Sequence, residues 1–109
     1  MDNTKDDAYY FDRLLKDLLF VRHHMENISQ QAFSEDEILQ SAMMFRLIQI
    51  SENARKLSAE YKTSHQQIPW NAVYGLRNRI VHDYGAVDLQ VVYMTLANDI
   101  PELIELIEK

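Results

Sequence analysis

The chain has 109 residues, 17 acidic and 11 basic side chains, four histidines, no cysteine and a formal charge of −6 at pH 7. A chain of this length is expected to form one domain over residues 1–109, and the lack of cysteine excludes a disulfide framework and a zinc–thiolate centre. The acidic start and the lack of any apolar run near the roughly 18 residues of a membrane span exclude a signal peptide and a membrane anchor, so a soluble, cytoplasmic protein is expected.

The net charge also argues against a general nucleic-acid coat, because non-specific binding to phosphate backbones rests on a surplus of Lys and Arg. The charge is unevenly spread, however. Residues 1–40 carry 4 bases and 9 acids, residues 41–84 carry 6 bases and 3 acids, and residues 85–109 carry 1 base and 5 acids. A basic middle in an acidic body suits a cleft that handles a few phosphates, and it also suits ordinary helix-surface charge.

Two glycines and two prolines punctuate the chain, and strand-like alternation is missing, so an all-α, up-down four-helix bundle is expected. The first helix should run from about Asp6 to Ser29 with Thr4 or Asn3 as its cap, burying Phe11, Leu14, Leu15, Leu18, Val21, Met25 and Ile28 at steps of three and four. His23 and His24 point about 100° apart on it and cannot both ligate one metal, so they read as surface residues. Gln30 to Phe33 make the turn, and Ser34-Glu35-Asp36-Glu37 reads as a capping box. The second helix should extend to about Tyr61 with Leu39, Met43, Leu47, Ile50, Ala54, Leu57 and Tyr61 inward, and Met43-Met44 as a core filler. Glu52 lies between core positions, either as a partly buried carboxylate that orients a basic residue or as a boundary residue in water.

Lys62 to Gln67 form the second loop, with His65 exposed. Pro69 fits the first position of the third helix, which buries Trp70, Val73, Leu76, Ile80 and Val81 and stops at Gly85. Asp88 can cap the fourth helix, buried through Val91, Val92, Leu96, Ile100, Leu103, Ile104 and Ile107. Pro101 lies inside that pattern and should kink or restart the helix, with Asn98 or Asp99 as a second cap.

The densest chemistry lies in Arg77-Asn78-Arg79-Ile80-Val81-His82-Asp83-Tyr84. In a regular helix His82 shares a face with Asn78, whereas Arg77 and His82, five residues apart, point about 140° apart round the axis. Convergence then needs a wrapped Arg77 side chain, a distorted last turn near Gly85, or a second copy of the helix; a two-fold dimer would double every group around one groove. Such a groove suits RNA cleavage without a metal. One neutral imidazole can take the proton of a ribose 2′-hydroxyl, a protonated one can give a proton to the leaving 5′-oxygen, and guanidiniums can hold the charge on the phosphorane. Histidine fits both roles with its ordinary pKa near 6.5. Taken alone, the same residues fit a solvated face and a helix cap better.

The spacing Arg77, His82, Tyr84 matches R-x-x-x-x-H-x-Y, and its surroundings are Ile68-Pro69-Trp70, Gly75-Leu76-Arg77-Asn78, His82-Asp83-Tyr84, Val87-Asp88-Leu89 and Asn98-Asp99-Ile100-Pro101-Glu102-Leu103. With these the chain resembles, over almost its whole length, the HEPN-domain HepT-like ribonuclease toxins. The resemblance implies a homodimer whose cleft is a metal-independent endoribonuclease site needing no cofactor, with Arg77 and His82 as the catalytic pair and Asn78 assisting. Beside these, the residues themselves put Arg79 and Glu52 in support, Arg79 because it must join Arg77 in attracting phosphate against the helix dipole and Glu52 as the carboxylate that could orient a basic residue. It implies a cognate antitoxin with a minimal nucleotidyltransferase fold, and Tyr84 matches the tyrosine such antitoxins adenylylate. Ser51-Glu52-Asn53-Ala54 resembles the family's Gly-Glu-Ala-Ala, with Ser51 and Asn53 departing from it, and Gly85-Ala86 stands where Phe-Gly is common. The expected function is a toxin ribonuclease acting on RNA; the alternatives are a non-catalytic dimeric partner of a nucleotidyltransferase and a plain helical dimerisation protein.

Overall fold

In the computed structural model, which describes residues 6–80 and 87–109, the apolar period folds into helices with the breaks set by short polar side chains. Helix α1 covers Asp7–Met25, and its cap is Asp6, whose carboxylate accepts from the Tyr9 amide at 3.1 Å. The expected caps Thr4 and Asn3 lie outside the described residues. Helix α1 stops short of Ser29 because Asn27 takes φ 61, a left-handed value that asparagine tolerates better than most residues. The expected turn is itself helical: Ser29 caps α2, Gln30–Ser34, and accepts from the Ala32 amide at 3.0 Å, which buries Phe33. No capping box forms at Ser34, because its hydroxyl donates back to the Gln31 carbonyl at 2.7 Å within α2. Asp36 caps α3, Glu37–Lys56, instead, accepting from the Leu39 amide at 2.9 Å.

Helix α3 ends before Tyr61. Leu57 turns extended (φ −69, ψ 145), and Ser58 caps α4, Ala59–Ser64. The Asp7 carboxylate accepts from the Ser58 amide at 2.8 Å and from its hydroxyl at 2.6 Å, fastening this break to the start of α1. Pro69 is the cap residue of α5, Trp70–Tyr74, rather than its first helical position. The expected regular helix does not continue from there: Gly75–Arg79 tightens into a 3₁₀ turn ending at Ile80. Val81 and the stop at Gly85 lie outside the described residues.

Asp88 caps α6, Leu89–Met94, as expected, accepting from the amides of Gln90 and Val91. A π turn over Thr95–Asp99 then leads into α7, Ile100–Glu108. Neither Asn98 nor Asp99 makes a cap at Pro101, because the run stays helical. Proline lacks an amide proton and crowds the carbonyl four residues back, Ala97, which lies in the widened turn.

Helices α1 and α3 are antiparallel, tied at one end by Asp7 and Ser58 and halfway by Asp17 and Arg46. The α6–α7 run starts beside the end of α1, where the Tyr93 hydroxyl donates to the Ile28 carbonyl at 2.7 Å. The core between them holds Leu14, Leu18, Val21, Met43, Leu47, Ile50, Val92, Leu96, Ile100 and Ile104, each worth about 1.5–3 kcal/mol on burial. Met43 fills the core with Met44 packed against it, and His23 and His24 are exposed, as their positions predict. The expected four-helix layout is present, with α2 and α4 added in the connections. No described residue is in a strand, and no helix among the described residues is long and apolar enough to cross a membrane.

Candidate active site

Arg77, Asn78 and Arg79 all lie on the 3₁₀ turn, where successive side chains are about 120° apart rather than about 100°. Leu76 and Ile80 point into the core, while Arg77 and Asn78 are exposed. The reason for the tightening lies across the bundle on α3. Ser51 is fully buried, its hydroxyl donates to the Val73 carbonyl at 2.8 Å, and it accepts from the Arg77 amide at 3.2 Å. Val73 and Arg77 are the two partners that a continuing α-helix would join directly. The Ser51 hydroxyl is inserted between them, one of the recognised causes of a local break in helical bonding. A glycine at this place could not do so. Asn53, the other departure from the family's sequence, satisfies its buried amide within α3 by donating to the Gln49 carbonyl at 3.0 Å.

The two arginines of the turn are differently employed. Arg79 Nη1 donates to Thr95 Oγ1 at 3.0 Å and to Asp99 Oδ2 at 3.2 Å, and Thr95 Oγ1 donates to the Val91 carbonyl at 2.9 Å. Asp99 thus serves as the counter-ion of Arg79 and not as a helix cap. Among the described residues the Arg77 guanidinium has no ion-pair partner. His82, Asp83 and Tyr84 lie outside the described residues.

Glu52 is half-buried and opens toward α1, about 100° round α3 from Ser51. It lines a polar pocket of about 270 Å³ with Tyr9, Tyr10, Arg13, Gln49 and Lys56. Among the described residues it forms no ion pair, and the bases that share its pocket are Arg13 and Lys56. His65, expected in solvent, is half-buried: its ring stacks on Tyr61 at 4.1 Å, and its Nδ1 lies 2.7 Å from the Tyr61 carbonyl. Trp70 Nε1 donates to the His65 carbonyl at 3.1 Å, so these rings anchor the start of α5. Burial, and secondarily the charge of Asp7, raises the Tyr61 phenol above its ordinary value.

Sequence reasoning missed three features: the Ser51 bridge, the pairing of buried Asp17 with Arg46 between α1 and α3, and Tyr74, over whose ring both Arg55 and Lys62 lie. Asp17 carried a signal, since a carboxylate among Leu14, Leu18 and Val21 on one helical stripe demands a cation. The serine at a glycine position was a second.

A family model described as Ribonuclease HepT-like matches residues 14–109. The chain is 29% identical over 94 residues to a protein of Caldanaerobacter subterraneus subsp. tengcongensis named "Putative RNase TTE0752", covering 86% of this chain and 84% of that one. It is 27% identical over 94 residues to a Thermococcus cleftensis protein named "Probable ribonuclease HepT", covering 86% of each. No solved structure matches the chain significantly.

Proposed function

The chain belongs to the HepT-like ribonuclease family, and from that premise we propose that it is a metal-independent endoribonuclease toxin acting as a homodimer, with Arg77 and His82 as its catalytic pair. The observation that carries this reading is Arg77 itself, exposed on a turn that Ser51 fixes from behind and without a carboxylate partner among the described residues.

In this reading, one neutral His82 imidazole removes the proton of a ribose 2′-hydroxyl as its oxygen attacks the adjacent phosphorus. The bond from phosphorus to the 5′-oxygen breaks, and the protonated imidazole of the second copy gives that oxygen its proton. The products are a 2′,3′-cyclic phosphate and a 5′-hydroxyl. Each proton transfer is worth about 10² to 10⁴ in rate, and the Arg77 guanidiniums stabilise the charge on the non-bridging oxygens. Asn78 adds a neutral donor beside them. Arg79 supports the turn from α6 and the π turn, and Glu52 supports α3 from the α1 side; neither reaches the phosphate.

The partner proposed for control is a minimal nucleotidyltransferase antitoxin that transfers AMP from ATP to the Tyr84 hydroxyl, releasing pyrophosphate. The added bulk and negative charge two residues from His82 would oppose a substrate phosphate. Purified protein should degrade RNA in EDTA, and Arg77→Ala and His82→Ala should each reduce the rate at least 100-fold; full activity in both variants would overturn the assignment. Mass spectrometry of Tyr84 after incubation with the nucleotidyltransferase and ATP should show added AMP, and its absence would remove the modification from the scheme.

A further inference from the structure

Tyr74, the last residue of α5, has a half-buried ring packed against the core three residues before Arg77. The Arg55 guanidinium carbon lies 4.9 Å from the ring centroid, and Lys62 Nζ lies 4.7 Å from it. Both are within the about 6 Å over which a ring attracts a cation. The two charges are therefore no farther apart than about one Debye length at 0.1 M salt. Two like charges gathered at one ring repel each other, and among the described residues neither Arg55 nor Lys62 forms an ion pair. The field of Asp7 does reach Lys62, but both its carboxylate oxygens are occupied by Ser58.

The placement relates this pair to Arg77. Ser51 holds the Arg77 amide, and Arg55 is one turn further along α3, about 6 Å up the axis. Among the bases of the basic middle segment, Arg46 is neutralised by Asp17 and Arg79 by Asp99. Those left without a carboxylate among the described residues include Arg55 on α3, Lys62 on α4 and Arg77 on the 3₁₀ turn after α5.

We infer that Arg55 and Lys62, held on Tyr74, form a subsite for a backbone phosphate of single-stranded RNA, beside the phosphate at Arg77 that is cut. The inference rests on the ribonuclease reading above. A phosphodiester offers the negative charge and acceptor oxygens that a forked guanidinium and an ammonium match together. The ring restrains both long side chains before RNA arrives, which lowers the ordering cost of binding. Because cations already lie over Tyr74, the subsite reads backbone and not base.

The test uses a fully 2′-O-methylated single-stranded oligonucleotide, which has no 2′-hydroxyl to attack, with binding followed by fluorescence anisotropy across a salt series. The Arg55→Ala/Lys62→Ala variant should bind about tenfold more weakly near 0.1 M salt, and its salt slope should fall by about 0.7 for each phosphate that the variant no longer neutralises. Lys62→Gln alone should show part of the loss, Tyr74→Phe should bind like wild type, and Lys16→Ala, a cation paired with Asp12 on α1, should also be unchanged. Circular dichroism checks the fold of each variant. Wild-type affinity and slope in the folded double variant would overturn the subsite while leaving the nuclease in place. A wild-type protein that neither binds this strand nor cuts unmodified RNA would overturn the ribonuclease reading and the subsite together.

Discussion

A single hydroxyl decides where Arg77 stands. Ser51 separates two groups that a regular helix would pair, and it does so from a buried position on a different helix. Replacing Ser51 with Ala leaves the Val73 carbonyl and the Arg77 amide either unpaired or free to rewind into an ordinary turn, and both outcomes move Arg77. Thermal unfolding should show a loss of about 1 kcal/mol, while RNA cleavage by the folded variant should fall at least tenfold; unchanged cleavage would show that Arg77 does not depend on the bridge. Asp7 makes a separate residue-scale prediction. The Ser58 hydroxyl first, then the Ser58 amide, hold its carboxyl below the ordinary 3.8, with a smaller contribution from Lys62. A depressed carboxylate stabilises the fold above its unfolded pKa and loses that contribution as pH falls through the folded pKa. Asp7→Asn should therefore lower the urea midpoint at pH 7, and the difference from wild type should shrink below pH 4. At this scale Asp88 and Met43 were legible because their role depends on immediate neighbours or on period alone. Ser51 was not, since its partners lie 22 and 26 residues away.

Between elements, the pair of α1 and α3 depends on a charge that the apolar pattern hides. Asp17 is 6% exposed, and its only ion-pair partner among the described residues is Arg46 at 2.7 Å, whose guanidinium also lies 3.7 Å from the centre of the Phe20 ring. Arg46→Ala would leave a buried carboxylate alone, at a cost of about 3–5 kcal/mol, which is a large part of the about 5–15 kcal/mol available to a domain. Asp17→Leu/Arg46→Met should recover much of that loss in a denaturation series, and a double variant as unstable as the single would show that the penalty is not electrostatic. The hydrophobic period placed the helices α1, α3 and α6–α7 on the sequence but not their breaks. Leucine at position 57 fits the apolar stripe whether the chain turns there or not, and the period of about 3.6 is blind to a 3₁₀ or π turn of five residues. Asp36 rather than Ser34 caps α3 because Ser34 ends α2 and spends its hydroxyl on the Gln31 carbonyl.

At the scale of the whole molecule the uneven charge was legible, but its division into paired and unpaired bases was not, because pairing joins residues 20 to 29 positions apart. That division bears on how many copies of the chain one reaction needs. If two imidazoles serve a single cleavage, one as base and one as acid, then a dimer with one His82→Ala protomer is inactive. Mixing wild-type and His82→Ala chains in equal amounts, with exchange complete, makes about a quarter of all dimers fully wild type. Cleavage per total protein should then fall to about a quarter of the wild-type value, and across a series of mixtures it should follow the square of the wild-type fraction. Two independent sites, each complete within its own chain, would instead give a straight line through one half, and that line would overturn the shared groove while leaving Arg77 and His82 as the groups that cut. Arg77→Ala in the same series should follow the square as well if both guanidiniums hold one phosphorane, so the two titrations together say which groups of the groove act in pairs.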